Sequence, residues 1–384
     1  MAMSEFQLYQ FKAVDRPLTT EEQCEVGSWS SRTQPTSTSA TFSYAYGDFP
    51  KDEEKVVEEY FDIMLYLANW GSKRLMMRFP KKLVDQDAIS KFLINADDSF
   101  TTHLALIERH NCFLLDFYWS DEEGGEWIDE EAYRVGEFVA IREGILTGDY
   151  RALYLFWLKL AAFKAQWEPW EGNEEDNLEI PAPPIPPNLK KMNGALKTLV
   201  DFFEIDIDLI AAAQQASTDT GQLEKNFKKL ILQLPEKDRI DYLVRLAAGE
   251  INLDIKLRRQ LETLDKSPTQ PMTETLSISE LLGLSTIKEK ERQQEEARRA
   301  AEAHRSKMEK VAREEIALWQ SVYENLELKT GRSYDLATAT LRDLKELAVF
   351  RNDQTTFKDK MDRIKENYGK SRALMQRFDR NKLK

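Results

Sequence analysis

The sequence predicts an α+β N-terminal domain followed by an all-α C-terminal half, built as a bundle or an irregular solenoid. Three observations predict it. Five alternating or β-rich stretches interleave with helical ones in the first 165 residues. A run of tryptophan, acid and proline, "QWEPWEGNEEDNLEIPAPPIPPNL" from Gln166 to Leu189, comes next. Beyond Pro187 no strand signal remains, and the apolar residues recur at helical spacing.

The elements follow in order. "EFQLYQFKAV" alternates as a strand that buries one face, and Pro17 ends it. Thr19 and Glu22 stand at capping-box spacing for a short helix in "TTEEQCEVGSW". "SATFSYAYGDF" is rich in Thr, Tyr and Phe and predicts a second strand ending at Gly47. "KDEEKVVEEYFDIMLYLANW" places Val56, Tyr60, Met64 and Leu67 at helical spacing, with acids at the end the macrodipole favours, and predicts one helix. In "NWGSKRLMMRFP", Leu75, Met77 and Phe79 alternate with Arg74, Met76 and Arg78, a third strand closed by Pro80. "THLALIERHNCFLLDFYW" gives two more strands around a turn near His110 and Asn111. After the acidic loop "SDEEGGEWIDEE", "AYRVGEFVAIREGILTG" and "DYRALYLFWLKLAAF" predict two helices, with Gly148 as the C-cap of the first and Asp149 as the N-cap of the second.

Residues 166–188 read as a linker. Pro181, Pro183, Pro184, Pro186 and Pro187 remove backbone donors and favour polyproline II, and the preceding acids extend the chain by repulsion. The alternative is a proline-rich ligand for another protein. A helical domain follows over 189–264. Its first helix carries Met192, Leu196, Leu199 and Phe203 on one face, and four short helices pack after it as antiparallel hairpins. "DKSPTQPMTET" lies in a second linker, 265–277. From about Ile278 one long charged helix is expected to reach Lys329. Pairs such as Glu295 with Arg299 and Glu309 with Arg313, worth about 0.2–0.5 kcal/mol each, hold its first part. It docks where Met308, Val311, Leu318, Val322 and Leu326 return. Two stripes close the segment to 384, Tyr334/Ala337/Leu341/Leu344/Leu347 and Phe357/Met361/Ile364/Tyr368.

Charge divides the chain. Residues 1–190 carry 18 Lys and Arg against 34 Asp and Glu, whereas residues 288–384 carry 24 against 18. The net charge of −13 argues against a nucleic-acid coat protein, and the segregation suits ends that bind each other or two different partners. Only two cysteines occur, Cys24 and Cys112, which builds no disulfide framework and suits a reducing compartment. No secretory pattern opens the sequence, and the most apolar window, "LYLFWLKLAAF", falls short of the roughly 20 residues a membrane span needs. The expectation is a cytoplasmic protein with no membrane partner.

"YQFKAVDRPLTTEEQ", "YAYGDF" and "LANWGSKRLMMRFP" resemble the opening of an uncharacterised bacterial protein family beginning "YxFxAxDRPLT". The likeness extends over most of residues 1–220 and implies a bacterial cytoplasmic origin, with no activity attached. "YDLATATLRDLKELAVF" and "FKDKMDRIKENYGKSRALMQRFDRNKL" are similar to the closing helices of bacterial SWIM zinc-finger proteins. Two cysteines and three histidines cannot build that finger here, so zinc is not implied; a shared docking partner or helical platform is.

No catalytic, cofactor-binding or metal-ligating constellation stands out. His103, His110 and His304 are scattered, and the 15 glycines form no phosphate cradle. Asp206 and Asp208 resemble a divalent-metal pair, but the simpler reading is that one of the two caps the helix "LIAAAQQA". "SDEEGGEWIDEE" lacks the ligand spacing of a known calcium loop. Trp70, Arg74 and Arg78 are candidates for a small anion or nucleotide contact, or are edge charges that pair with the domain's own acids. The strongest candidate contact is the basic tip, Lys370, Arg372, Arg377, Arg380, Lys382 and Lys384, facing one acid, Asp379. It suits nucleic-acid phosphate, an acidic protein surface, this chain's own head included, or a solvated terminus. The expectation is a non-enzymatic adaptor of a multi-protein assembly; the alternative is a nucleic-acid-associated factor acting with a helicase or nuclease through this tail.

Overall fold

The computed structural model describes residues 5–95, 101–120, 133–166, 180–219, 227–264 and 275–383. It divides into two units, 1–289 and 290–384. The first holds a six-stranded antiparallel sheet of order β2-β1-β3-β4-β6-β5. Its strands are β1 (Phe6–Lys12), β2 (Ser39–Ala45), β3 (Ile63–Ala68), β4 (Lys73–Pro80), β5 (His103–Glu108) and β6 (Cys112–Trp119). Alternation along the strands sorts the two faces. Leu65, Leu67, Leu75, Met77, Leu115 and Phe117 point to one core, and Tyr9, Phe11, Phe42, Met64 and Met76 point to another.

One element differs from expectation. Residues 51–70 were expected as a single helix, but α2 (Glu53–Glu59) stops there and β3 takes its place as a strand. All six residues of β3 are buried, between β1 and β4. A strand covered on both faces reads as a continuous apolar run, and such a run fits helical and extended periods alike.

Helices cover both faces. On the second face lie α1 (Thr20–Ser28), closed by the expected Thr19/Glu22 capping box, and α2, capped by Asp52. On the first lie α4 (Val139–Leu146), α5 (Arg151–Gln166), α6 (Gly194–Phe203) and α7 (Ile207–Ala216). The short α3 (Gln86–Ser90) adds Ile89 to that core. The window "LYLFWLKLAAF" is the buried body of α5, with Leu153, Tyr154, Phe156 and Trp157 all enclosed. Gly148 takes the positive φ expected of a C-cap, and Asp149 Oδ1 accepts from the Arg151 amide. No helix among the described residues is long and apolar enough to cross a membrane.

The expected spacer behaves differently where it is described. Residues 167–179 lie outside the described residues, but Ile185 and Leu189 are buried in the core of the first unit. Ser217 Oγ donates to the Pro186 carbonyl at 2.8 Å and accepts from the Leu189 amide at 3.1 Å. Arg151 Nη1 donates to the Asn188 carbonyl at 3.1 Å. The proline backbone, short of donors, is thus seated through its carbonyls on α5 and α7. The core then continues past 189 through α6 and α7 as far as Ile278 and Leu281. Three further helices belong to this unit: α8 (Phe227–Gln233), α9 (Glu236–Ala247) and α10 (Leu253–Leu264). Leu230, Leu234 and Leu261 form a small core between α8 and α10, and Arg259 Nη2 donates to the Leu83 carbonyl at 2.6 Å.

In the second unit, the expected continuous helix to Lys329 is broken at Glu314. There α11 (Ile278–Arg313), which begins in the first unit, gives way to α12 (Glu315–Glu327). The break lies where apolar residues resume and dock: Trp319, Val322 and Leu326 pack on α13 (Gly331–Phe350). Glu295 pairs with Arg299 as expected, whereas Glu309 pairs with Arg305. α14 (Gln354–Tyr368) and α15 (Arg372–Arg380) complete the core with Met361, Ile364, Leu374 and Phe378. Tyr334, Ala337, Leu341, Leu344 and Leu347 of the predicted α13 stripe are all buried.

Candidate interaction surface

The arginines singled out on β4 are consumed by the first unit itself. β4 is interior to the sheet, so they are not edge charges, although they do pair with the unit's acids. Arg74 grips the fully buried Asp116 of β6 through two bonds, Nε to Oδ1 at 2.8 Å and Nη2 to Oδ2 at 2.7 Å. It also reaches Glu53 of α2. His103 Nε2 lies 2.9 Å from Asp116 Oδ2 and its Nδ1 lies 2.8 Å from the Thr101 carbonyl, so both ring nitrogens are engaged. Arg78 pairs with Asp62, whose Oδ2 also accepts from the Val14 and Asp15 amides at 2.7 and 2.8 Å. Arg142 of α4 reaches across, with Nη2 2.8 Å from Asp15 Oδ2 and Nε 2.8 Å from the Arg78 carbonyl. Trp70 packs, half-buried, against the second core.

Electrostatics follow from these contacts. Burial opposes the charge on Asp116, but hydrogen bonds from His103 and Arg74 outweigh it and hold its carboxyl below the ordinary range. Asp62 is likewise held low against burial, by the charges of Arg78 and Arg142 and by the two backbone amides. At Glu53 burial wins over Arg74 and the carboxyl is pushed up. Such closed networks fix the strand pairings to α2 and α4; they leave no guanidinium of β4 for an incoming anion.

The remaining candidates separate. Asp206 caps α7, its Oδ1 accepting from the amides of Asp208 and Leu209 at 2.7 and 3.3 Å. Among the described residues no group of three or more His, Cys, Asp or Glu could hold a metal ion. Most of the loop "SDEEGGEWIDEE" lies outside the described residues. Of the basic tip, Lys384 also lies outside them; Arg377 pairs with Asp335 of α13 at 2.6 Å; and Lys370, Arg372, Arg380 and Lys382 are exposed. A shallow cleft of about 30 Å³ beside Trp319, Phe357 and Lys360 has room for little more than water.

The least expected feature is α9. Its sequence, "EKDRIDYLVRLA", is amphipathic, yet the helix is mounted with the polar side inward. Tyr242 Oη donates to Gln260 of α10 at 2.6 Å, and Arg245 pairs with Glu250. No residue of the helix is buried. Ile240, Leu243, Val244 and Leu246 are 53, 65, 61 and 65 % exposed, and Ile251 just beyond adds to them. The sequence shows the stripe, since 240, 243 and 244 stand at helical spacing, but such a stripe is ordinarily read as core. Which side faces the fold is set by the polar contact that Tyr242 makes with Gln260 of α10, the next helix in the chain.

No family model matches this chain, and no curated protein or solved structure matches it. The two resemblances read from the sequence therefore rest on the quoted residues alone.

Proposed function

We propose that the protein is a non-enzymatic adaptor of a bacterial cytoplasmic assembly, and that α9 is the helix by which it is held. The observation that carries this reading is the outward apolar stripe of Ile240, Leu243, Val244 and Leu246. Full burial of such side chains is worth about 1.5–3 kcal/mol each, so leaving four in water on one helix is costly unless another surface covers them. The spacing is that of an amphipathic helix laid into an apolar groove. A twelve-residue helix is about 18 Å long, and its four side chains cover far less than the roughly 800 Å² each partner gives to a stable dimer. Such a short helix is small enough to be enclosed by a groove, and the occupant we propose is a different protein that offers one. Two cysteines without a disulfide suit the cytoplasm, and the opening residues' resemblance suits a bacterial source.

Leu243→Glu combined with Val244→Glu tests it. Both side chains lie in water, so the variant should keep the native melting temperature. It should lose the proteins that co-purify with the tagged native chain from its own cell. Co-purification of the same proteins with the variant would overturn the reading. So would a native chain that sediments as a dimer and is rendered monomeric by the substitutions.

A further inference from the structure

The second unit carries a separate surface of opposite character, on the seam between α13 and α15. Two contacts lay these helices together: Arg377 of α15 on Asp335 of α13, and Lys345 of α13 donating to the Lys382 carbonyl just after α15. They are ten residues apart on α13, about 15 Å along its axis. Asp335, Arg342 and Lys345 fall at i, i+7 and i+10, the same side of α13, and Arg342 is exposed there. Arg380 is exposed and close enough to Asp335 that, after Arg377, it helps hold that carboxyl below its ordinary range. Lys382 is exposed as well.

Five cations thus converge on one seam: Arg342, Lys345, Arg377, Arg380 and Lys382. Asp335 offsets one of them, and Asp379 is the acid within α15. Arg342, Lys345 and Lys382 pair with no acidic side chain among the described residues.

We propose that this seam binds the phosphate backbone of a nucleic acid. Its length matches the axial rise of about four nucleotides of one strand. Arginine and lysine without fixed acid partners suit phosphate, which they contact without reading sequence. This surface is distinct from α9 and takes a different class of partner, so either proposal stands if the other fails.

The test is fluorescence anisotropy with the full chain and a labelled 20-nucleotide single strand, and its duplex, from 20 to 200 mM salt. Binding is expected at low salt, with log Kd rising by about 2–3 for each unit of log salt, as three or so phosphate contacts require. Arg342→Glu with Arg380→Glu is expected to weaken binding at least tenfold at 20 mM salt with an unchanged melting temperature. Leu243→Glu with Val244→Glu should leave it unaltered. No binding at 20 mM salt overturns the proposal, as does a charge-reversed variant that folds and binds like the native chain. A poly-glutamate peptide that displaces the label as well as an unlabelled oligonucleotide of equal charge would assign the seam to an acidic protein instead, and overturn it too.

Discussion

At the scale of single residues, the first unit depends on ions that have left water. Arg142, Asp62 and Asp116 are almost fully enclosed, and each makes bonds to chain segments distant in sequence. Removing one member of a buried pair strands the other, which typically costs about 3–5 kcal/mol. Arg142→Met should therefore lower stability in urea by about that amount, although methionine fills much of the same volume. Arg298→Ala, on the solvated face of α11, should change it by less than about 0.5 kcal/mol. Equal urea midpoints for the two variants would contradict the argument. The same ions set the acid limb. Asp62 and Asp116 have carboxyls depressed in the folded state, so their stabilisation is present above the unfolded value near 3.9 and is lost as pH falls through the folded one. Glu53, pushed up by burial, has the opposite sign: its contribution is greatest when protonated and declines as pH rises. The two aspartates should dominate, giving stability that falls from about pH 5 downward. Asp116→Asn should flatten that fall, which urea melts at pH 7, 5, 4 and 3 measure; an unchanged slope would show that Asp116 does not carry it.

At the scale of elements, what the sequence revealed depended on alternation and turn signals rather than on burial, since β1 and β6 are buried on both faces as β3 is. β1, β4, β5 and β6 were legible because they alternate or are bounded by turns, and β4 displayed its Arg74–Met76–Arg78 face openly. β3 was not, because "IMLYLA" is apolar throughout and borrowed the helical spacing of the α2 residues before it. The prolines of 181–187 do end regular structure, but Ile185 and Leu189 between and after them are what seat the segment. Composition describes the backbone's options; two buried side chains decide its place. α9 fails in the reverse sense. Its stripe is as clear as that of α13, where all five predicted residues are buried, yet it faces out. An amphipathic pattern specifies that a face will be covered and says nothing of whether the cover belongs to the same chain. The basic seam was half legible: Arg377, Arg380 and Lys382 stand in the tail, whereas Arg342 and Lys345 join them only once α15 lies on α13.

At the scale of the whole molecule, the division falls at residues 289 and 290, within α11 and a hundred residues beyond the proline stretch that composition marks as the boundary. Residues 290–384 have a core of their own. Trp319, Val322, Leu326, Tyr334, Leu341, Leu344, Met361, Ile364, Leu374 and Phe378 come from α12, α13, α14 and α15. Thr330 closes a capping box at the start of α13 and Ser371 caps α15, so the ends of these helices are satisfied within the unit. Ion pairs of Lys307 with Asp343 and of Arg351 with Glu315 join neighbouring helices inside it. A chain of about 95 residues with one contiguous apolar core is long enough to fold alone. Expressed separately, residues 290–384 should therefore give a single cooperative thermal transition by far-UV circular dichroism, with the fluorescence of Trp319, their one tryptophan, moving at the same temperature. Phe378→Ala removes an enclosed ring that closes α15 onto the core, and should lower the unfolding free energy by about 3–5 kcal/mol. A fragment with helical signal but no cooperative transition would show that this core is incomplete without residues before 290.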